Sequence, residues 1–165
     1  MLVAVWRGTL FLSMMGPMNA SSNTSSWLER HISLHSYDSP REELANAATH
    51  GIGALLAPVG MILLVLRGLG SEPVPVILSD AVFGLSMVLL YSASTFYHLM
   101  RRPKWKRPCR VFDHMTIYIL IAGTYTPLMA RIQATWAERT LLLVWILAAA
   151  GMVFKLIFWG RFRVL

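Results

Sequence analysis

The stretch DAVFGLSMVLLYSASTFYHLM, residues 80–100, decides the fold. Between Asp80 and Arg101 its only ionisable groups are tyrosines and His98. Its apolar residues show no alternation of the kind a half-buried strand requires. About 20 residues of helix cross a hydrocarbon core of roughly 30 Å, and in lipid only a segment that satisfies its own backbone hydrogen bonds can span. The stretch therefore predicts a transmembrane helix. Residues 45–66, 111–130 and 140–159 read the same way. The connections between blocks are short, polar or rich in Gly and Pro, so neighbouring helices pack as antiparallel hairpins. The predicted fold class is an all-α membrane protein, an antiparallel transmembrane helix bundle.

Composition agrees. Of the 165 residues 56% are hydrophobic and 14% charged, where soluble domains carry about a quarter charged residues. Cys109 is the one cysteine, which excludes an intrachain disulfide and a cysteine metal cluster; acylation of this thiol is the lesser reading beside a plain free thiol. The net charge of +7 suggests nucleic acid until it is located: six of the 15 Lys and Arg residues fall in residues 101–110, between two apolar blocks. Such a cluster is a topology mark rather than a nucleic-acid face. With the amino terminus inside, the inner face collects Arg30, Arg41, the 101–110 cluster, Arg161 and Arg163, and the outer face only Arg67, Arg131 and Arg139. Trp105 and Trp159 then mark the inner interface, Trp136 the outer one, and Lys155 snorkels inward.

Residues 1–41 read as a largely unstructured cytoplasmic leader and 42–165 as the transmembrane domain. Residues 9–15 imitate a weak signal peptide, but export of the amino terminus would put the basic cluster on the wrong face. A loose extension, or a true start at Met18, is the preferred reading. The two sequons at Asn19 and Asn23 then face the cytoplasm.

Ionisable residues within spans are costly and mark function. Glu42, Glu43, Asn46 and His50 fall at the inner end of the first block, Ser94 and His98 at that of the second, and Asp113 and His114 at that of the third. The hairpin brings His98 and Asp113 to similar depth, so three helices present carboxylates, imidazoles and a hydroxyl to one inner-leaflet pocket. His98 reads equally as a metal ligand or as a hydrogen-bonding interfacial histidine. Asp113 can serve the site, or simply sit at a favourable helix start or pair with Arg110. Glu42 and Glu43 suit a helix first turn, and His50 and His114 line the bundle rather than ligate. His31 and His35, though four apart, read as a solvated pair. Residues 123–127, Gly-Thr-Tyr-Thr-Pro, predict a bend whose hydroxyls re-satisfy freed carbonyls.

The motifs Glu42-Glu43-Leu-Ala-Asn46-Ala-Ala-Thr49-His50-Gly51, Ser94-Thr-Phe-Tyr97-His98 and Phe112-Asp113-His114-Met-Thr-Ile-Tyr118, in this order, resemble the bacterial hemolysin III proteins. These are grouped with the progestin and adipoQ receptors and are more distantly similar to alkaline ceramidases. The resemblance runs from about residue 39 to residue 165. It implies seven transmembrane helices, an inward amino terminus, and a zinc ion near the inner leaflet with His98 as a ligand. Ser94 and Asp113 are the associated polar residues, and two further ligands lie in a His-x-x-x-His on the seventh helix. The chain, ending after a fourth helix, is expected to be a fragment of such a protein. The activity implied is hydrolysis of a lipid amide or ester, with Asp113 positioning or deprotonating water and Ser94 polarising the substrate. The alternatives are a non-enzymatic membrane-homeostasis or receptor-like protein with structural zinc, and the cytolysis that the family name implies. The partners expected are membrane lipids, including a lipid substrate, and no nucleic acid.

Overall fold

The computed structural model describes residues 28, 32, 39–132 and 134–159. Among them are four helices and no strand: α1 (Pro40–Gly68), α2 (Val74–Leu99), α3 (Pro103–Ala130) and α4 (Thr135–Ile157). The chain is an all-α membrane protein. Most of the leader, His31 and His35, the alternative starts, and Arg161 and Arg163 lie outside the described residues.

Local chemistry sets the helix ends. Ser39 accepts from the Glu42 backbone N–H at 3.3 Å while its own N–H donates to Glu42 Oε2 at 2.8 Å, a capping box with Pro40 at the first helical position. Glu42 is thus a cap. Gly70, at φ +83°, turns the chain out of α1, and Pro73 precedes α2.

Every helix is longer than its apolar block. The largest difference is in α3, which starts at Pro103 rather than near residue 111, so the basic cluster is helical from Pro103 onward and not a loop. The physical reason is that charge ends a hydrocarbon-compatible segment but not a helix; Lys and Arg are good helix formers once past the acyl chains. At 1.5 Å per residue α1 measures about 44 Å, which exceeds a core of roughly 30 Å. By length and apolar content α1, α2 and α4 are each able to cross a membrane. The 111–130 block of α3 is less apolar, carrying Asp113, His114 and several hydroxyls.

Each helix packs only on its neighbours in sequence, α1 on α2, α2 on α3 and α3 on α4. The four therefore form an antiparallel row with α2 and α3 in its middle. The contacts are made by small side chains: Ala47, Ala57, Ala93, Ala122, Ala137 and Ala148 are buried, while Leu55 is 75% exposed and Leu63 62%. This is the arrangement expected in lipid, where large apolar side chains gain nothing by turning inward and small ones let backbones approach. Two glycines make the closest approaches. A Cβ at Gly84 would overlap the Met61 side chain of α1, and one at Gly123 would overlap Ser86 of α2.

Buried hydroxyls are satisfied along their own helices. Ser79 donates to Val76 O, Ser86 to Phe83 O and Thr116 to Asp113 O, each at 2.6 Å. In the 123–127 segment Thr124 donates to Leu120 O and Thr126 to Ala122 O. Neither reaches Gly123 O, the carbonyl whose donor Pro127 removes, so the hydroxyls back-bond one turn up instead of repairing the break as expected. Thr126 also accepts from Trp145 Nε1 at 3.3 Å, which ties α3 to α4.

Gly84→Leu and Gly123→Leu are each expected to destabilise the protein by about 1–3 kcal/mol, as overpacking of a close contact does. Gly60→Ala, with nothing within 4 Å of its Cβ, is expected to leave stability unchanged or slightly raised. Thermal unfolding in detergent micelles reads all three, and equal shifts would refute the close-packing account.

Candidate functional site

The first turn of α1, the last turn of α2 and the first turns of α3 meet at one end of the row, because two hairpin connections return the chain there. Glu43 lies at their junction. Its Oε2 is 2.9 Å from His98 Nδ1 on α2, and its Oε1 accepts from Lys106 Nζ on α3. One carboxylate thus joins three helices, although α1 and α3 do not pack against each other directly. All three side chains are largely buried.

Aromatic rings surround the cluster. Lys106 Nζ stands 5.3 Å from the Tyr97 ring centroid, and the Tyr97 ring lies 4.8 Å from that of His98. His50, two turns along α1 from Glu43, stacks on His98 at 5.8 Å with an interplanar angle of 23°. Its Nδ1 is buried without a hydrogen-bond partner among the described residues. A cleft of about 530 Å³ opens here, lined among others by Glu43, Ala47, His98, Arg101 and Lys106.

The geometry assigns a tautomer. A carboxylate held by a lysine is an acceptor, so His98 Nδ1 carries a proton toward Glu43, and the lone pair of the imidazole is on Nε2. A histidine oriented through one nitrogen by a carboxylate is suited to ligate a metal through the other.

Ser94, one turn before His98 on α2, is 4% exposed. Asp113 lies on α3 with its carboxylate 3.8 Å from His114 Nδ1, which itself donates to Arg110 O at 2.9 Å. The His114 ring meets the edge of Trp159 at 5.2 Å, so these contacts run within α3 and toward α4. The carboxylate bonded to His98 is Glu43, not Asp113. Among the described residues no three His, Cys, Asp or Glu side chains are gathered closely enough to hold a metal ion. Cys109 is a free, partly exposed thiol.

Two features escaped the reading of the sequence. Glu43 reads there as a member of the inner pocket with His50 and His98, but also as a first-turn acid, and its bond to His98 is not legible. Lys106 was one cation among six. The second feature is at the opposite end of the row, where Arg131 at the end of α3 forms a two-pronged ion pair with Asp80 of α2, both N–O distances 2.9 Å. Asp80 is 1% exposed. Hydrogen bonding to Asp80 raises the pKa of Arg131, with burial acting weakly in the other sense. A lone acid at the start of one span and a lone arginine at the end of the next was the available signal.

Residues 39–165 match the family described as haemolysin-III related. The chain is 43% identical over 126 residues to a hemolysin-3 homolog of Bacillus subtilis, covering 76% of this chain and 59% of that protein. It is 40% identical over 123 residues to hemolysin-3 of Bacillus cereus, covering 74% and 56%. The chain thus spans less than two thirds of the length of these relatives. No solved structure matches it.

Two outcomes test this geometry. Arg131→Ala strands a carboxylate that is almost wholly buried and is expected to cost about 3 kcal/mol, whereas Asp80→Asn leaves an arginine whose side chain is already 39% exposed and is expected to cost clearly less. A double-mutant cycle on Glu43→Gln and His98→Ala is expected to show coupling of about 1–3 kcal/mol; additive losses would refute the pairing.

Proposed function

The chain belongs to the haemolysin-III related family, and we propose on that footing that its Glu43–His98 pair supplies one arm of a zinc site at the cytoplasmic leaflet of a multi-pass membrane protein. The observation that carries this reading is the 2.9 Å bond from Glu43 to His98 Nδ1, which leaves Nε2 as the ligating atom. A catalytic zinc takes three protein ligands and an open position. His98 fits one of the three; the others come from outside the described residues. The amino terminus is cytoplasmic, because the end of the row bearing Glu43 and His98 also bears the six cations of residues 101–110.

The reaction is hydrolysis of a lipid amide or ester drawn from the inner leaflet. Zinc, when bound, supplies an activated water. The rest falls to the chain's own residues. Glu43 fixes the His98 tautomer and ring orientation. Asp113 would hold the attacking water, take its proton and pass it to the leaving amine or alkoxide, and Ser94, buried one turn from His98, would hydrogen-bond the substrate carbonyl. Lys106 keeps Glu43 ionised, so that the carboxylate remains an acceptor.

Zinc titrated calorimetrically into a full-length relative in micelles is expected to bind, with binding lost when the histidine matching His98 is changed to Ala and weakened about 10- to 100-fold when the glutamate matching Glu43 is changed to Gln. Equal affinity in all three proteins, or no uptake by the unaltered full-length relative, overturns the metal assignment. Lipid-amide turnover in the longer relatives is expected to vanish with a chelator. A chelator that lowers the unfolding temperature where no turnover exists favours a structural zinc. The hemolysin-3 name of the Bacillus cereus relative favours cytolysis as a second reading, which fails if the purified chain releases no dye from liposomes.

A further inference from the structure

We propose that the start of α3 is a docking surface for anionic phospholipid headgroups, formed by the side chains of Arg101, Arg102 and Lys104 with Trp105 beside them. Residues 101–110 carry six cations, and the structure divides them into two sets. Lys106 is bound to Glu43, Arg107 Nε donates to Ile32 O at 3.2 Å, and Arg110 has interactions of its own. Arg101, Arg102 and Lys104 are all exposed, and their side chains make no hydrogen bond or ion pair among the described residues.

Among the described residues no nearby acid offsets this second set. Glu42 is committed to the Ser39 cap, Glu43 to His98 and Lys106, and the first turn of α3 contains no acidic residue. The excess positive charge is therefore a surface at the α2–α3 turn, with Lys104 and Trp105 in the first turn of α3 and Arg101 and Arg102 in the two residues just before it. Its place in the fold selects the occupant. The three cations directly follow the end of α2, one of the helices able to cross a membrane, so they lie at headgroup depth by construction. Trp105, 55% exposed, is the amphipathic ring that this depth favours. A fixed patch of cations beside an aromatic at the acyl boundary is complementary to a phosphodiester headgroup of net negative charge, and each cation near such a leaflet raises binding roughly fivefold. This surface is independent of the zinc reading, which uses Glu43, His98, Ser94 and Asp113.

The test uses the whole chain in micelles containing equimolar phosphatidylglycerol and phosphatidylcholine, with retained lipid counted by native mass spectrometry. Phosphatidylglycerol is expected to be retained over phosphatidylcholine by at least about tenfold, with the preference falling as salt screens the contacts. The combined variant Arg101→Gln, Arg102→Gln, Lys104→Gln is expected to bring the preference near parity, and Arg67→Gln with Arg139→Gln, at the other end of the row, to leave it intact. A preference that survives the first variant, or no preference in the unaltered chain, overturns the proposal. If the first variant fails to fold, the salt series on the unaltered chain decides, a preference unmoved by salt being the negative result. Displacement of the lipid by equimolar inorganic phosphate would assign the patch to a soluble anion and would equally overturn it.

Discussion

A polar group placed in hydrocarbon must find its partner within the protein, since no water is there to supply one. That constraint organises this fold. Along the middle of the row the hydroxyls of Ser86, Thr116, Thr124 and Thr126 turn back onto their own helices. The charges that cannot be satisfied in this way are confined to the two ends, Glu43 with His98 and Lys106 at one and Asp80 with Arg131 at the other. Each charged knot joins different helices, α1, α2 and α3 at one end and α2 and α3 at the other, so the same groups that would be costly in lipid fix how the helices sit against one another.

The two knots differ in what they leave available. Asp80 and Arg131 bind each other through both prongs, carboxylate to guanidinium. Glu43 is shared between two donors, and the imidazole it orients keeps one nitrogen uncommitted beside a cleft. Arg131 also donates to Pro127 O at 3.1 Å, and a pair of permanently charged groups bound to each other in this way is read as structural. One that leaves an oriented lone pair is suited to chemistry, and for that reason the functional reading rests on the Glu43 end.

The fold class was legible because it depends on hydropathy summed over long windows, which requires no knowledge of tertiary contacts. Each of the four apolar blocks coincides with a helix to within two residues at its C-terminal end. Helix ends were less legible: the reading stopped α3 where charge began, but helix propensity continues through Lys104, Lys106 and Arg107. At the site, the depth of His98 and Ser94 followed from counting along α2. The partner of His98 did not, because two carboxylates at one helix start differ only in the face each presents. Glu42 turns back to cap Ser39 and Glu43 faces α2. Likewise, nothing in the order of residues 101–110 distinguishes Lys106, which is bound, from Lys104, which is exposed.

Among the described residues helix backbones pack only on their neighbours in sequence, so none of these packing interfaces waits for a distant part of the polypeptide. Contacts of this kind have short sequence separation and form without closing long loops. The row is therefore suited to being built in order of synthesis. Each of these spans finds the face of the preceding helix already inserted, and the Glu43 junction locks as soon as the first turns of α3 emerge.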